Sequence, residues 1–119
     1  MTKFVPEKDV APQAAATLHG LRAMRRVFGG ELTINQWLVA QHILYAHLHG
    51  QKCSQSSIIA SEDLPKTTVF NTILRLKELE LVSAAENPDD SRMQHIAPTE
   101  KCLELRKKLW RELLAADTD

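Results

Sequence analysis

The segment from Leu64 to Thr99 constrains this 119-residue chain more than any other. It opens with Leu64-Pro65-Lys66-Thr67-Thr68-Val69, where the proline suits the first turn of a helix because its missing N–H has no partner there. Val69, Ile73, Leu76 and Leu79 recur at helical spacing and give that helix one inward stripe. Lys66, Thr67, Asn71 and Arg75 fall on the opposite side. Leu81-Val82-Ser83-Ala84-Ala85 and Met93-Gln94-His95-Ile96-Ala97 read as two short strands around the polar turn Asn87-Pro88-Asp89-Asp90-Ser91, with Arg92 opening the return. A helix followed by such a hairpin is the pattern of a recognition helix with a β-wing. The helix matches the width of a DNA major groove, and the ribbon beside it reaches the backbone or the minor groove.

Four further helices frame this segment. Residues 1–10 are polar, contain Pro6 and are expected to form a loose arm. A first helix is predicted over about Pro12–Phe28, with Ala15, Leu18, Leu21, Met24, Val27 and Phe28 at helical spacing and Gly29-Gly30 as its stop. Thr33-Ile34-Asn35-Gln36 is a capping box that starts a second helix. Trp37, Ala40, Ile43, Leu44, Ala46 and Leu48 are its expected buried side, and Gly50 ends it. Ser54 caps a short third helix, Ser54–Ser61, that buries Ile58 and Ile59. Thr99 caps the last helix, about Glu100–Ala116, which carries two apolar rows. One row is Cys102, Leu105, Leu109 and Leu113; the other is Leu103, Trp110 and Leu114. A lone surface helix needs one row. The second points to a partner surface, and the first helix, with Leu18 and Leu21, is the natural element to pack beside it within the chain and across a two-fold axis.

Hydrophobic residues make up 44% of the chain and charged residues 25%, the balance of one globular domain. No apolar run approaches membrane-spanning length, and Met1–Lys8 lacks the apolar middle of a secretion signal. Cys53 and Cys102 have no CxxC spacing and read as reduced thiols of a cytoplasmic protein. His42, His47 and His49 lie on or near the second helix, but no carboxylate or cysteine completes a metal-ligand spacing. There is no phosphate-binding glycine loop, no nucleophile elbow, and no carboxylate pair outside the Asp89-Asp90 turn, so neither an enzyme nor a bound cofactor or metal is expected. The 15 basic and 15 acidic side chains cancel. Between Pro65 and Ile96, Lys66, Arg75, Lys77 and Arg92 stand against Glu78, Glu80, Glu86, Asp89 and Asp90. Duplex affinity rests on neutralised phosphates, so a DNA-binding reading depends on placement. The basic groups have to face the groove, with the acids at the far end of the helix and on the wing tip.

Several local motifs stand in an order that resembles the MarR family of winged-helix transcription factors over about residues 18–115. They are Leu32-Thr33-Ile34-Asn35-Gln36 before the second helix, Lys66-Thr67-Thr68-Val69 opening the fourth, Leu76-Lys77-Glu78-Leu79-Glu80-Leu81-Val82 leaving it, and Asp90-Ser91-Arg92 followed by Ile96 and Thr99-Glu100-Lys101. Glu80 stands where that family usually has a glycine, so the turn there has to form without easy positive φ. Cys102 replaces a second glycine, Pro98 a leucine, and Glu62 stands near a position that is often apolar. The resemblance implies that Arg92 enters the minor groove or grips a phosphate, where a narrow groove concentrates negative potential. The plain alternative is a surface arginine paired with Asp90.

The residue types on the fourth helix allow specific contacts. Thr67 and Thr68 offer a methyl and a hydroxyl, and Asn71 can bond adenine in a bidentate way. Lys66 and Arg75 suit phosphates, which position without specifying sequence. A helix cap with ordinary polar surface is the competing reading. Phe70 and Leu74 lie beside this side, and are expected to clasp one another and pack on the third helix; contact with thymine methyls or with a protein partner are the alternatives.

The expectation is therefore a mostly α single domain, 11–119, with a small β-hairpin: a winged helix-turn-helix of five helices plus wing. Its expected partners are double-stranded DNA and a second copy of itself, joined through Leu18, Leu21, Leu103, Trp110 and Leu114. The expected role is a dimeric repressor on a near-palindromic operator, with no effector identified by any motif. The alternatives are a winged-helix protein-interaction module, or a small plasmid or phage control protein without effector.

Overall fold

The computed structural model describes residues 7–87 and 90–115. Its elements are α1 (Glu7–Phe28), α2 (Ile34–Leu48), α3 (Gln55–Glu62), α4 (Lys66–Glu78), β1 (Val82–Asn87), β2 (Asp90–Pro98) and α5 (Glu100–Leu114). This is the expected order of five helices and an antiparallel hairpin. No helix among the described residues is long and apolar enough to cross a membrane. The chain divides into two compact units. One runs Leu32–Glu104; the other combines the segments up to Glu31 and from Leu105.

In the larger unit, caps set the helix limits. Thr33 accepts from the Gln36 N–H at 3.2 Å, and the Gln36 side chain accepts from the Thr33 N–H at 3.0 Å, so the capping box forms as expected. Ser54 and Ser57 repeat the arrangement at the start of α3. Val39, Ala40, Ile43 and Leu44 of α2, Ile58 of α3, and Val69, Ile73 and Leu76 of α4 are buried, together with Leu81, Val82 and Ile96 of the hairpin region. Burial of such aliphatic side chains is worth about 1.5–3 kcal/mol each.

Leu48, expected inside, is 67% exposed. At about 100° per residue it falls with Ile34, Leu38 and Tyr45 on the side of α2 opposite Ile43, and these three are exposed as well.

Two helices of this unit end in the same hydrogen-bond pattern. After α2, Gly50 N–H donates to His47 O at 3.1 Å and Gln51 N–H to Ala46 O at 2.8 Å. After α4, Glu80 N–H donates to Lys77 O and Leu81 N–H to Leu76 O, both at 2.9 Å. Both are Schellman turns, which need a left-handed residue after the C-cap. Gly50 supplies it at φ 67° and Glu80 at φ 61°. The turn expected to lack easy positive φ therefore adopts it with a side chain present. The hydrophobic contact that accompanies such turns is available between the buried Leu76 and Leu81.

In the smaller unit, Ala23 and Val27 of α1 are buried with Leu109 of α5, and Met24, Phe28, Leu105 and Leu113 pack against them. His19 Nε2 lies 2.9 Å from the Glu112 carbonyl, and Arg26 pairs with the Glu112 carboxylate at 3.6 Å. α1 begins at Glu7, so residues 7–10 of the expected arm, and the start expected at Pro12, are corrected; residues 1–6 lie outside the described set. Pro12 sits inside the helix, where it has no N–H to donate to the Lys8 carbonyl.

Glu80→Gly is expected to raise stability by about 1 kcal/mol, because glycine adopts this φ without a Cβ penalty. Gly50→Ala is expected to lower it by a similar amount, although an added Cβ would meet open space there. Urea unfolding of both variants checks the pair. Equal midpoints for the Glu80→Gly variant and the parent would contradict a strained turn.

Candidate nucleic-acid interface

α4 starts at Lys66, with Pro65 at the N-cap position, one residue earlier than expected, and no side-chain cap bond. The Val69 N–H closes the first turn on the Pro65 carbonyl at 3.1 Å. The buried side is Val69, Thr72, Ile73 and Leu76. Thr72 was not legible as an inward residue, and Leu79 is only half-buried because the helix ends there. Lys66, Thr67 and Asn71 are exposed on the other side, as expected, while Thr68 and Arg75 are half-buried at its edges. The Arg75 guanidinium bonds Glu78 Oε2 at 3.3 Å on its own helix. Glu78 and Glu80 stand at the C-terminal end of α4, where the electrostatic argument requires the acids to be. Phe70 and Leu74 are 48% and 42% exposed.

The hairpin pairs Val82 with Pro98, Ala84 with Ile96 and Glu86 with Gln94, then shifts register before Asn87 pairs with Asp90. Val82, Ile96 and Pro98 are buried, while Ser83 and Ala85 alternate outward, as a half-buried ribbon requires. The strands are longer than expected: Asn87, Asp90 and Ser91 of the expected turn belong to them, and Pro88 and Asp89 lie outside the described residues. Arg92 lies in β2; its side chain is outside the described set. The Ile96 N–H donates to the Cys53 carbonyl at 2.9 Å, which ties the hairpin to the connection between α2 and α3.

Thr99 joins these parts. Its hydroxyl donates to the Glu80 carbonyl at 2.6 Å and accepts from the Cys102 N–H at 3.2 Å, so the expected cap of α5 also holds the turn after α4. The Thr99 N–H donates to Leu81 O at 3.0 Å, and Lys101 Nζ donates to Leu79 O at 3.0 Å.

Of the residues expected to meet a second copy, Leu18, Leu21, Trp110 and Leu114 are exposed and Leu103 is half-buried. The other row of α5, including Cys102 and Leu109, is turned inward. The Arg106 guanidinium lies 5.9 Å from the Trp110 ring centroid, covering part of one face.

One contact escaped sequence reasoning. His42 Nδ1 donates to Glu62 Oε1 at 2.9 Å, linking α2 to α3. Glu62 stands near a position that is often apolar in the family the sequence resembles, and the histidine 20 residues earlier gave no local signal for the pairing. A cleft of about 410 Å³ beside this pair is lined by Leu38, Gln41, His42, Tyr45, Ser61 and Glu62. Cys53 and Cys102 are both buried, and neither is in a disulfide. Burial pushes the Cys53 thiol above its ordinary range, and a hydrogen bond with Ser57 opposes this. No group of three or more His, Cys, Asp or Glu side chains among the described residues is arranged to hold a metal.

Three packed helices, the last with a polar outward flank, followed by a hairpin hydrogen-bonded to the connection before α3, define a winged helix-turn-helix. Solved structures agree. S. aureus MepR, as a single-residue variant bound to an oligodeoxyribonucleotide, matches with TM-score 0.75 at 16% identity, over 98% of this chain and 81% of that one. A Listeria monocytogenes protein described as a MarR family transcriptional regulator, complexed with 26mer DNA, matches with TM-score 0.62 at 18% identity, over 99% and 73%. A SlyA-like transcription regulator from the same organism gives 0.60 at 18% identity, over 99% and 73%. No family model and no curated protein matches the sequence. At these identities the likeness is one of fold, and the fold is the MarR-like winged helix.

Thr99→Ala is expected to cost about 1–2 kcal/mol, the loss of a helix cap together with the partner of the Glu80 carbonyl. Thr99→Ser should keep most of that stability. Urea midpoints of the two variants provide the check, and an unchanged Thr99→Ala midpoint would remove the junction from the account.

Proposed function

We propose that this chain is a transcriptional regulator that binds double-stranded DNA in a sequence-specific way, as a dimer acting as a repressor on a near-palindromic operator. The observation that carries the reading is the outward flank of α4, where Lys66, Thr67 and Asn71 are exposed while the opposite side is fully used by the core. In this reading α4 enters the major groove. Thr67, Thr68 and Asn71 face base edges, and Lys66 and Arg75 meet phosphates. Arg75 exchanges Glu78 for a phosphate at small cost, since an exposed i,i+3 pair is worth only about 0.3–0.5 kcal/mol. Arg92 on the wing reaches the minor groove or the backbone. The DNA in the MepR and Listeria structures supports the same use of this fold.

Leu18 and Leu21 of α1, with Leu103, Trp110 and Leu114 of α5, serve as the dimer contact, and their exposure supports it. Two copies of α4 would then sit about one helical turn of DNA apart, roughly 34 Å. The zero net charge favours a second reading, a winged-helix module that binds protein.

Salt separates the two. Affinity for mixed-sequence duplex is expected to fall steeply as salt rises, through counterion release. Arg92→Ala should weaken binding across sequences, and Asn71→Ala should cost about 1–3 kcal/mol and relax preference at one or two base pairs. Absence of duplex binding at low salt would favour the protein-binding reading. For the dimer, light scattering should give twice the 13.4 kDa chain mass for the parent and a smaller particle for Trp110→Glu. A parent already at the chain mass would refute it.

A further inference from the structure

The outward side of α4 is not uniformly polar. Thr67, Phe70, Asn71 and Leu74 are spaced i, i+3, i+4 and i+7, so they share one face of the helix, and all four are exposed. The core does not need the apolar pair, because Val69, Ile73 and Leu76 already fill the inward side. None of the four side chains is charged. Lys66 stands at the N-terminal edge of this patch, and Arg75 with Glu78 at the other.

A helix carrying this patch into a major groove presents two apolar side chains at its middle. Their counterpart among base edges is the C5-methyl of thymine, because every other major-groove feature is a hydrogen-bond donor or acceptor. Asn71, next to Phe70, is matched to the adenine N6 and N7 edge. Both features belong to A·T pairs. A protein partner fits the patch less well: stable protein interfaces bury about 800 Å² on each side, far beyond two isolated side chains, whereas one methyl group fills a contact with one of them.

We propose that Phe70 and Leu74 read thymine methyl groups, so that the recognised half-site contains A·T pairs and its affinity depends on those methyls. This rests on the duplex-binding reading above and adds what α4 recognises.

The test begins with a duplex selected from a random pool by the full chain. That duplex is resynthesised with deoxyuridine for thymidine, which removes the methyl and keeps the pairing. At fixed salt, the uracil duplex is expected to bind about fourfold more weakly for each methyl contacted, since one buried methyl-sized group is worth about 0.8 kcal/mol and a tenfold change about 1.4 kcal/mol. In Phe70→Ala and Leu74→Ala the thymine-to-uracil ratio should fall toward one. If either variant fails to fold, the ratio measured on the parent decides alone. Equal affinity of the parent for both duplexes overturns the methyl reading and leaves DNA binding standing. Folded variants that keep the parent's ratio also overturn it and assign the pair to another contact. Failure to recover any duplex at low salt overturns both readings.

Discussion

The hydrogen bond from the Thr99 hydroxyl to the Glu80 carbonyl, 2.6 Å long, is the constraint on which the junction of α4, the hairpin and α5 depends. It acts at a residue in the left-handed region, where α4 has just ended and β1 is about to begin. Three directions are fixed at once. The Schellman bonds to Lys77 and Leu76 stop α4, the Thr99 N–H to Leu81 bond fixes the root of the hairpin, and the second bond of the same hydroxyl, from Cys102, starts α5. A left-handed non-glycine residue costs about 1–2 kcal/mol, and it persists where surrounding contacts determine the backbone. Here those contacts are the buried Leu76 and Leu81 and the bonds to Thr99 and Lys101. The wing is therefore held against α4 by the protein's own structure, before any partner is met.

With its end fixed and one side buried, α4 has only one side left to offer. That side does not rely on bulk charge, since the chain carries as many acids as bases. Glu78 and Glu80 stand at the C-terminal end of α4, and Glu78 is already engaged with Arg75. The N-terminal half presents Lys66, Thr67, Phe70 and Asn71. A neutral protein can hold a phosphate backbone when its few cations are placed at the contact and its acids away from it. Uncharged hydrogen-bonding and apolar groups between those cations favour discrimination among bases over raw affinity.

The sequence disclosed most where a feature is local. Thr33, Ser54 and Thr99 were legible as caps because a hydroxyl at the N-cap position satisfies a backbone N–H within three residues. The inward stripe Val69, Ile73 and Leu76 followed from period alone. The hairpin was legible as two strands but not in its extent, because pairing continues past Asn87 and Asp90 through a register shift that residue types do not signal. α1 extends five residues ahead of the start expected at about Pro12, because the polar residues before it continue the helix. Leu48 was drawn inward by its hydrophobicity, although its helical phase turns it out. The pairing of His42 with Glu62 joins two helices, and only packing brings it together. The left-handed Glu80 was hidden for a related reason: its determinant is Thr99, 19 residues away. The outward flank of α4 was legible as a face, and the exposed Trp110 and Leu114 as part of a second apolar row on α5.

The central claim is that the exposed flank of α4, supported by the wing, is the surface that meets duplex DNA. Amide chemical shifts of the ¹⁵N-labelled chain, followed during titration with a selected duplex, test it most directly. The account predicts that the largest changes cluster from Lys66 to Arg75 and along β2 around Arg92. Changes concentrated instead on the outward face of α2, at Ile34, Leu38, Tyr45 and Leu48, with α4 unperturbed, would contradict it.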